Sequence, residues 1–244
     1  MIWLPESADV LQIHSELVTL FASDGDPIEP AGLRDMNLLE SACLRPRTSL
    51  GGTDKYETLN QKSAALFHSL VKNHPFHNGN KRAALATLLT TLARNDRRFI
   101  VTIGDDDVYD MVVAVTADSF ANPEYGTDAD HVVTQLSWWL QYRTIARRAK
   151  PSPMSTRDFL ESCAAAGANV KKSGPSHVVS FKKSVRFSQS TTELSGSIVR
   201  QYLREIGLTE TRSGISIDEF QDGIFNDRGE INRFVAVLRR LAHT

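Results

Sequence analysis

The chain has 244 residues, 41% hydrophobic and 23% charged, with 28 Lys+Arg against 29 Asp+Glu and a net charge of −1. That is the make-up of a soluble globular protein and excludes a fibrous repeat or a largely disordered chain. Apolar runs such as Met111–Val115 fall far short of a membrane span, so no membrane partner is expected. The opening Met1-Ile2-Trp3-Leu4-Pro5-Glu6 has no basic n-region and Cys43 and Cys163 stand far apart. No signal peptide, disulfide scaffold or Cys-rich zinc site is therefore expected, and the cytoplasm is the expected location.

In chain order, helical periodicity comes first. Helices are predicted over Ala8–Ala22, Asp35–Leu44, Thr58–Asn73, Asn80–Asn95, Asp105–Ala117 and Asp130–Arg148, with a loop holding Pro27, Pro30 and Gly32 between the first two. Only short extended pieces such as Phe99–Ile103 interrupt them. The acids at Asp105, Asp106 and Asp107 suit a helix start, where the dipole favours them. His14 and His68 fall inside helices and read as packed residues. Residues 1–149 are thus expected to be one all-α domain. Lys150-Pro151-Ser152-Pro153-Met154-Ser155 reads as a linker, because each proline disfavours helix at the residue before it.

After the linker the period changes. Arg157–Ala166 reads as a helix, Asn169–Lys172, His177–Lys182 and Val185–Ser188 as strands, and Ser195–Ile206 as a helix stopped by Gly207. The order α-β-β-β-α predicts a small α+β domain over residues 156–209, and the chain as a whole reads as a multidomain α and α+β protein. Residues 151–209 carry 8 basic against 4 acidic side chains, a modest excess that fits either a solvated face or a polyanion partner. Residues 210–244 form a C-terminal extension ending in the helix Ile231–His243, which is expected to pack onto the second domain.

The most informative stretch is His74-Pro75-Phe76-His77-Asn78-Gly79-Asn80-Lys81-Arg82, between two predicted helices. Pro75 and Gly79 impose a tight turn, and the helix beginning near Asn80 offers unpaired N–H groups to an anion. Lys81 and Arg82 oppose the helix dipole in its first turn, a penalty that a bound anion would offset. His74 can act as a general base near neutral pH. Spacing alone leaves open an ordinary histidine loop beside a solvated helix start.

This stretch resembles the Fic/Doc family signature, His-Pro-Phe-x-x-Gly-Asn-[Gly/Lys]-Arg, at every fixed position, with Lys81 resembling the Doc (death-on-curing) branch. Gly32-Leu33-Arg34-Asp35, Leu38-Leu39-Glu40-Ser41-Ala42, Arg45-Pro46 and Ala64–Asn73 extend the resemblance over roughly residues 8–145. The resemblance implies a toxin of a toxin–antitoxin pair that uses ATP or another nucleoside triphosphate, with Mg²⁺, to modify a hydroxyl of a target protein. Doc-like members transfer phosphate; most Fic members transfer a nucleotide, which is the alternative. By the same resemblance His74 takes the hydroxyl proton, Gly79 and Asn80 cradle phosphate, and Lys81 and Arg82 neutralise charge. Asn78 stands where the family usually has the acid that helps hold Mg²⁺, so the metal is expected to be held more weakly and activity reduced or lost. A further alternative follows from it, a silenced Fic half with function in the second domain. The nearest match to the family's inhibitory helix, Thr53-Asp54-Lys55-Tyr56-Glu57-Thr58, lacks its last residue, which implies a separate antitoxin protein as partner.

The second domain is similar to HicA toxins, which have a double-stranded-RNA-binding-like (dsRBD-like) fold, on Gly174-Pro175-Ser176-His177 and the helix Ser197–Leu208. That likeness implies RNA as a partner, with His177 as base, Ser176 beside it, and Lys171, Lys172, Lys182 and Lys183 meeting phosphates. Pro175 is inserted into the family's Gly-Ser-His and the later Pro-x-His strand is missing, so a structural strand histidine, with RNA or partner binding and no cleavage, stands against RNA cleavage through His177.

Overall fold

The computed structural model describes residues 2–100, 102–147, 150–213, 215–222 and 231–243. The sequence expectations touching Val101, Arg148, Ala149 and residues 223–230 lie outside the described residues. Two compact units divide the chain, Met1–Ala146 with Glu230–Thr244, and Arg147–Gly229. No helix of the described residues is long and apolar enough to cross a membrane.

Unit 1 is built from α1 (Ser7–Leu20), α2 (Met36–Leu44), α3 (Leu59–Asn73), α4 (Asn80–Arg94), α5 (Asp105–Thr116) and α6 (Ala129–Arg143). Local chemistry sets most of the starts. Asp35 accepts the N–H groups of Asn37 and Leu38 to cap α2, Thr58 and Gln61 cap α3 reciprocally, and Asp128 caps α6. Asp107 accepts the Gly104 N–H at the start of α5 and Asp106 pairs with Arg240, so these acids are structural. Rich in Ala and Leu, α4 is buried from Arg82 to Ala93 and forms the centre of the unit with α3. A two-stranded hairpin, β1 (Ser49–Leu50) and β2 (Thr53–Asp54), turns on Gly51 and Gly52, whose φ values of 58° and 82° are those of the two-residue hairpin turn.

One sequence expectation is corrected at the end of the unit. The helix predicted to reach Arg148 stops at Arg143, and Thr144–Ala146 becomes β4, antiparallel to β3 (Arg97–Phe99) with Phe99 opposite Thr144. β-branched Thr144 and Ile145 suit this extended pairing better than a helix end. The strand itself lies at Arg97–Phe99, just upstream of the Phe99–Ile103 expected.

Unit 2 contains β5 (Met154–Ser155), α7 (Thr156–Ala165), β6 (Asn169–Ser173), β7 (Ser176–Ser180), β8 (Ser184–Ser188), β9 (Glu193–Leu194), α8 (Gly196–Ile206) and two short helices, α9 (Glu210–Ser213) and α10 (Ile217–Asp222). The helix–three strands–helix order is present, and β6, β7 and β8 form an antiparallel meander. Its core is Phe159, Cys163, Val179, Val185, Phe187, Val199, Leu203 and Ile206. The expected linker is instead built into this unit. Its last two residues pair with β9, and Ser152 exchanges two hydrogen bonds with the Gln221 side chain, each 2.8 Å.

The C-terminal helix also departs from expectation. It packs on unit 1, not on the second domain. In and around α11 (Val235–Arg240), Phe234, Val237, Leu238 and Leu241 join the unit 1 core, with Phe234 edge-on to Phe99 at 5.6 Å between ring centroids. Arg233 donates to the carbonyls of Phe99 and Ile100, and Arg239 pairs with Asp24 at 2.7 Å. Unit 2 is therefore an insertion before the last helix of unit 1.

Candidate active site

The candidate site is the junction of α3 and α4. His74 ends α3 with φ 48° and ψ 59°, a left-handed conformation uncommon for a residue with a Cβ. The loop holds it there through several independent ties. The Pro75 carbonyl accepts the N–H groups of Arg34 (2.7 Å) and Asp35 (3.1 Å), and the His77 N–H donates to the Gly32 carbonyl (3.1 Å). Leu33 and Phe76 form an isolated antiparallel bridge. Phe76 is 1% exposed and stacks on the His14 ring at 3.9 Å, nearly parallel. With Phe76 anchored, His74 is left exposed at the surface.

Three polar side chains close the loop. Asn80 accepts the Phe76 N–H through Oδ1 and donates Nδ2–H to the Phe76 carbonyl, both at 2.9 Å. Its amide is thus committed to the turn, and its backbone N–H in the first turn of α4 is the group it can direct at an anion. Asn78 accepts the Gly79 N–H (2.6 Å) and donates to the Glu29 carbonyl (2.7 Å). His14, 3% exposed, donates from Nε2 to the Asn78 carbonyl at 2.9 Å, because a carbonyl oxygen can only accept. Burial, chiefly, lowers the His14 pKa, so the ring is neutral at pH 7. Sequence reasoning missed this brace. Position 14 lies 64 residues from Asn78, and a buried helix histidine carries no local sign of what it touches.

Gly79 begins α4 with φ 78°, and a Cβ there would meet Ile28 Cγ2 at 3.0 Å. Glycine is required both for the backbone and for the space. No side chain caps α4, so the N–H groups of its first turn make an electropositive end. Lys81 is half-buried, and burial lowers its pKa. Arg82 is 2% exposed. Its guanidinium donates to the Asp26 carbonyl (3.0 Å), lies over the Phe21 ring and lines a cavity of about 310 Å³ with Asp24 and Arg239.

Although its side chain reaches the surface, the His74 pKa is lowered first by partial loss of water around the ring, then by the charges of Arg34, Lys72 and Lys81. Neutral imidazole is the form a general base needs. A metal fares worse. Both polar atoms of Asn78 are spent inside the loop, and the described residues contain no group of three His, Cys, Asp or Glu able to hold a metal ion. Mg²⁺ favours carboxylate oxygens, so this donor set does not fit a protein-held Mg²⁺.

In unit 2 the sequence-predicted residues are spread apart. Antiparallel partners share a face, so the register Lys172–His177–Phe187 puts His177 on the side of Val179, Val185 and the core. The His177 ring is half-buried, 5.5 Å from the Phe187 ring centroid. Lys171 projects from the other face, in the row where Val178 separates it from Arg186, Lys182 donates to the Arg212 carbonyl (2.7 Å), and Lys183 lies in the β7–β8 turn. Ser176 opens β7 in the outward-facing row with Ser173 and Ser188.

Comparison with known proteins finds similarity over the part of the chain that holds the α3–α4 junction. A family profile described as Fic/DOC family matches residues 3–92. Toxin Doc of Mycolicibacterium smegmatis is 38% identical over 80 residues, which is 33% of this chain and 62% of that protein, so the chain spans less than two thirds of that relative's length. No solved structure matches.

Proposed function

We propose that this chain, which matches a Fic/DOC family profile over residues 3–92, is a Doc-like toxin that transfers the γ-phosphoryl group of ATP to a hydroxyl of a target protein. The observation that carries the reading is the constrained exposure of His74 beside the uncapped start of α4, with Lys81 and Arg82 in its first turn. His74 accepts the proton of the target hydroxyl as that oxygen bonds to the γ-phosphorus. The bond from the γ-phosphorus to the bridging oxygen breaks, ADP leaves, and His74 later returns the proton to solvent. The N–H groups of α4, Lys81 and Arg82 stabilise charge on the transferring group, which is most of what phosphoryl transfer asks of a protein. Lys81 favours phosphoryl over nucleotidyl transfer on the family resemblance.

A separate antitoxin is part of the proposal. The segment Thr53–Thr58, nearest in sequence to an internal inhibitory helix, is β2 followed by the loop into α3. Induced expression in a bacterial host tests the toxin reading. Asn78→Asp, which restores an acid beside the anion site, is expected to stop growth, and the Asn78→Asp/His74→Ala double variant to release it. Equal growth arrest by both would mean that toxicity does not run through His74.

A further inference from the structure

Unit 2 holds a cavity of about 280 Å³ at the start of α8, lined by Lys150, Pro151, Ser197, Arg200, Gln201 and Arg204. Three cations and two neutral hydrogen-bonding side chains face it, and no carboxylate does. Among the described residues none of the three cations has a carboxylate partner, although the protein as a whole is nearly neutral. Like charges gathered in one concavity repel one another, and an anion bound between them removes that cost.

The grouping is built by the fold. Arg200 and Arg204 are four apart on α8 and so share a face. Lys150 comes from a distant part of the sequence and is fixed there by two features. A Cβ on Gly196 would lie 2.1 Å from the Pro151 carbonyl oxygen, so only glycine lets the 150–152 segment run against the first residue of α8. The two hydrogen bonds between Ser152 and Gln221 then hold that segment in place.

A second cavity of about 230 Å³ adjoins the first, sharing Pro151, Arg200 and Arg204. Its lining is largely apolar, with Leu203, Leu208, Ile215 and Ile217, and Thr209 and Ser216 at its polar edge. A cationic compartment joined to an apolar one through a pair of arginines matches a ligand with a phosphate at one end and a weakly polar body at the other. We propose that unit 2 carries a nucleoside-phosphate site, with phosphate between Lys150, Arg200 and Arg204 and the base in the Leu203–Ile217 cavity. Guanidinium groups suit phosphate through paired N–H donors, and the Ser197 hydroxyl adds a neutral one, while the Gln201 amide donates to Glu205 at 2.8 Å. The site is independent of the function proposed for unit 1. Its ligand chemistry is found both in a free nucleotide and at the end of an RNA strand.

The test is binding to the full-length protein, read by calorimetry or fluorescence anisotropy, with adenosine, AMP and a 5′-phosphorylated decaribonucleotide as probes. AMP or the oligonucleotide is expected to bind, adenosine to bind at least about tenfold more weakly, and Arg200→Glu/Arg204→Glu to weaken the phosphorylated probes by about tenfold or more. Tighter binding of the oligonucleotide than of AMP assigns the site to a strand; equal binding assigns it to a mononucleotide. Arg200→Lys/Arg204→Lys keeps the charge but loses the paired donors and is expected to bind the phosphorylated probes more weakly than the unaltered protein and more tightly than Arg200→Glu/Arg204→Glu, which separates loss of the site from loss of the fold. The proposal is overturned if neither phosphorylated probe binds, if adenosine binds as well as AMP, or if Arg200→Glu/Arg204→Glu leaves affinity unchanged.

Discussion

His74 combines a left-handed backbone with a lowered pKa, and both have consequences that can be measured. Partial desolvation and the neighbouring charges of Arg34, Lys72 and Lys81 favour its neutral form. As a base it is therefore expected to be active above the lowered pKa and to lose activity as pH falls through it. A pH–rate profile of label transfer should show its acid limb below pH ~6.5, the ordinary histidine value, and Arg34→Ala should move that limb upward. A limb at or above the ordinary value in the unaltered protein would exclude His74 as the titrating base. Asn80→Ala removes both hydrogen bonds to Phe76. It should cost ~1–3 kcal/mol in denaturant unfolding and abolish transfer by loosening the loop. Much at this scale was legible in the sequence. The consecutive residue types from His74 to Arg82 announced a tight turn and a helix start at Asn80, and both are present. The bonds of Asn78 and the brace from His14 were not legible, because partners distant in sequence leave no local trace.

At the scale of elements, the informative case is α11. Its helical period was readable, since Phe234, Val235, Leu238 and Leu241 recur on one face. Its destination was not, because an apolar stripe says that a helix is buried and not against what. Packing on unit 1 predicts that Leu238→Ala, at a position 0% exposed, costs ~2–5 kcal/mol in the unfolding of that unit. Transfer activity should fall with it at temperatures where the variant begins to melt. Unchanged thermal unfolding of unit 1 would contradict the packing. The end of α6 shows the complementary limit. Helical periodicity runs smoothly through Arg143, and only pairing with β3, 47 residues upstream, selects a strand for Thr144–Ala146. The β1–β2 hairpin had a local signal in Gly51-Gly52, but its strands of two residues each carry almost no alternation.

For the molecule as a whole, histidine burial sets the response to acid. His68 is 6% exposed, is hydrogen-bonded to Arg45 at 2.9 Å, and has its pKa lowered to about 4 by burial and the Arg45 charge. His14 and His74 shift in the same direction. For each, the unfolded chain binds more protons than the folded one between the lowered pKa and ~6.5, so stability is full above that window and falls as pH drops through it. His68 alone should account for roughly 2–3 kcal/mol between pH 6.5 and 4. Thermal unfolding at pH 7 and pH 4.5 checks this, with a smaller difference expected for His68→Gln; an equal difference would remove His68 from the explanation. The division into a helical unit and an α+β unit was visible in the change of period after Lys150, whereas the chain's return to unit 1 required the structure. The central claim, that the α3–α4 junction transfers phosphate through His74, is tested most directly by labelled ATP. The unaltered chain, Asn78→Asp and Asn78→Asp/His74→Ala are incubated with cell lysate, Mg²⁺ and either γ-labelled or α-labelled ATP. The account predicts a labelled protein band from the γ-label alone, strongest with Asn78→Asp and absent with Asn78→Asp/His74→Ala. Label from the α-position would establish nucleotidyl transfer instead, and no His74-dependent label from either would contradict the enzymatic account altogether.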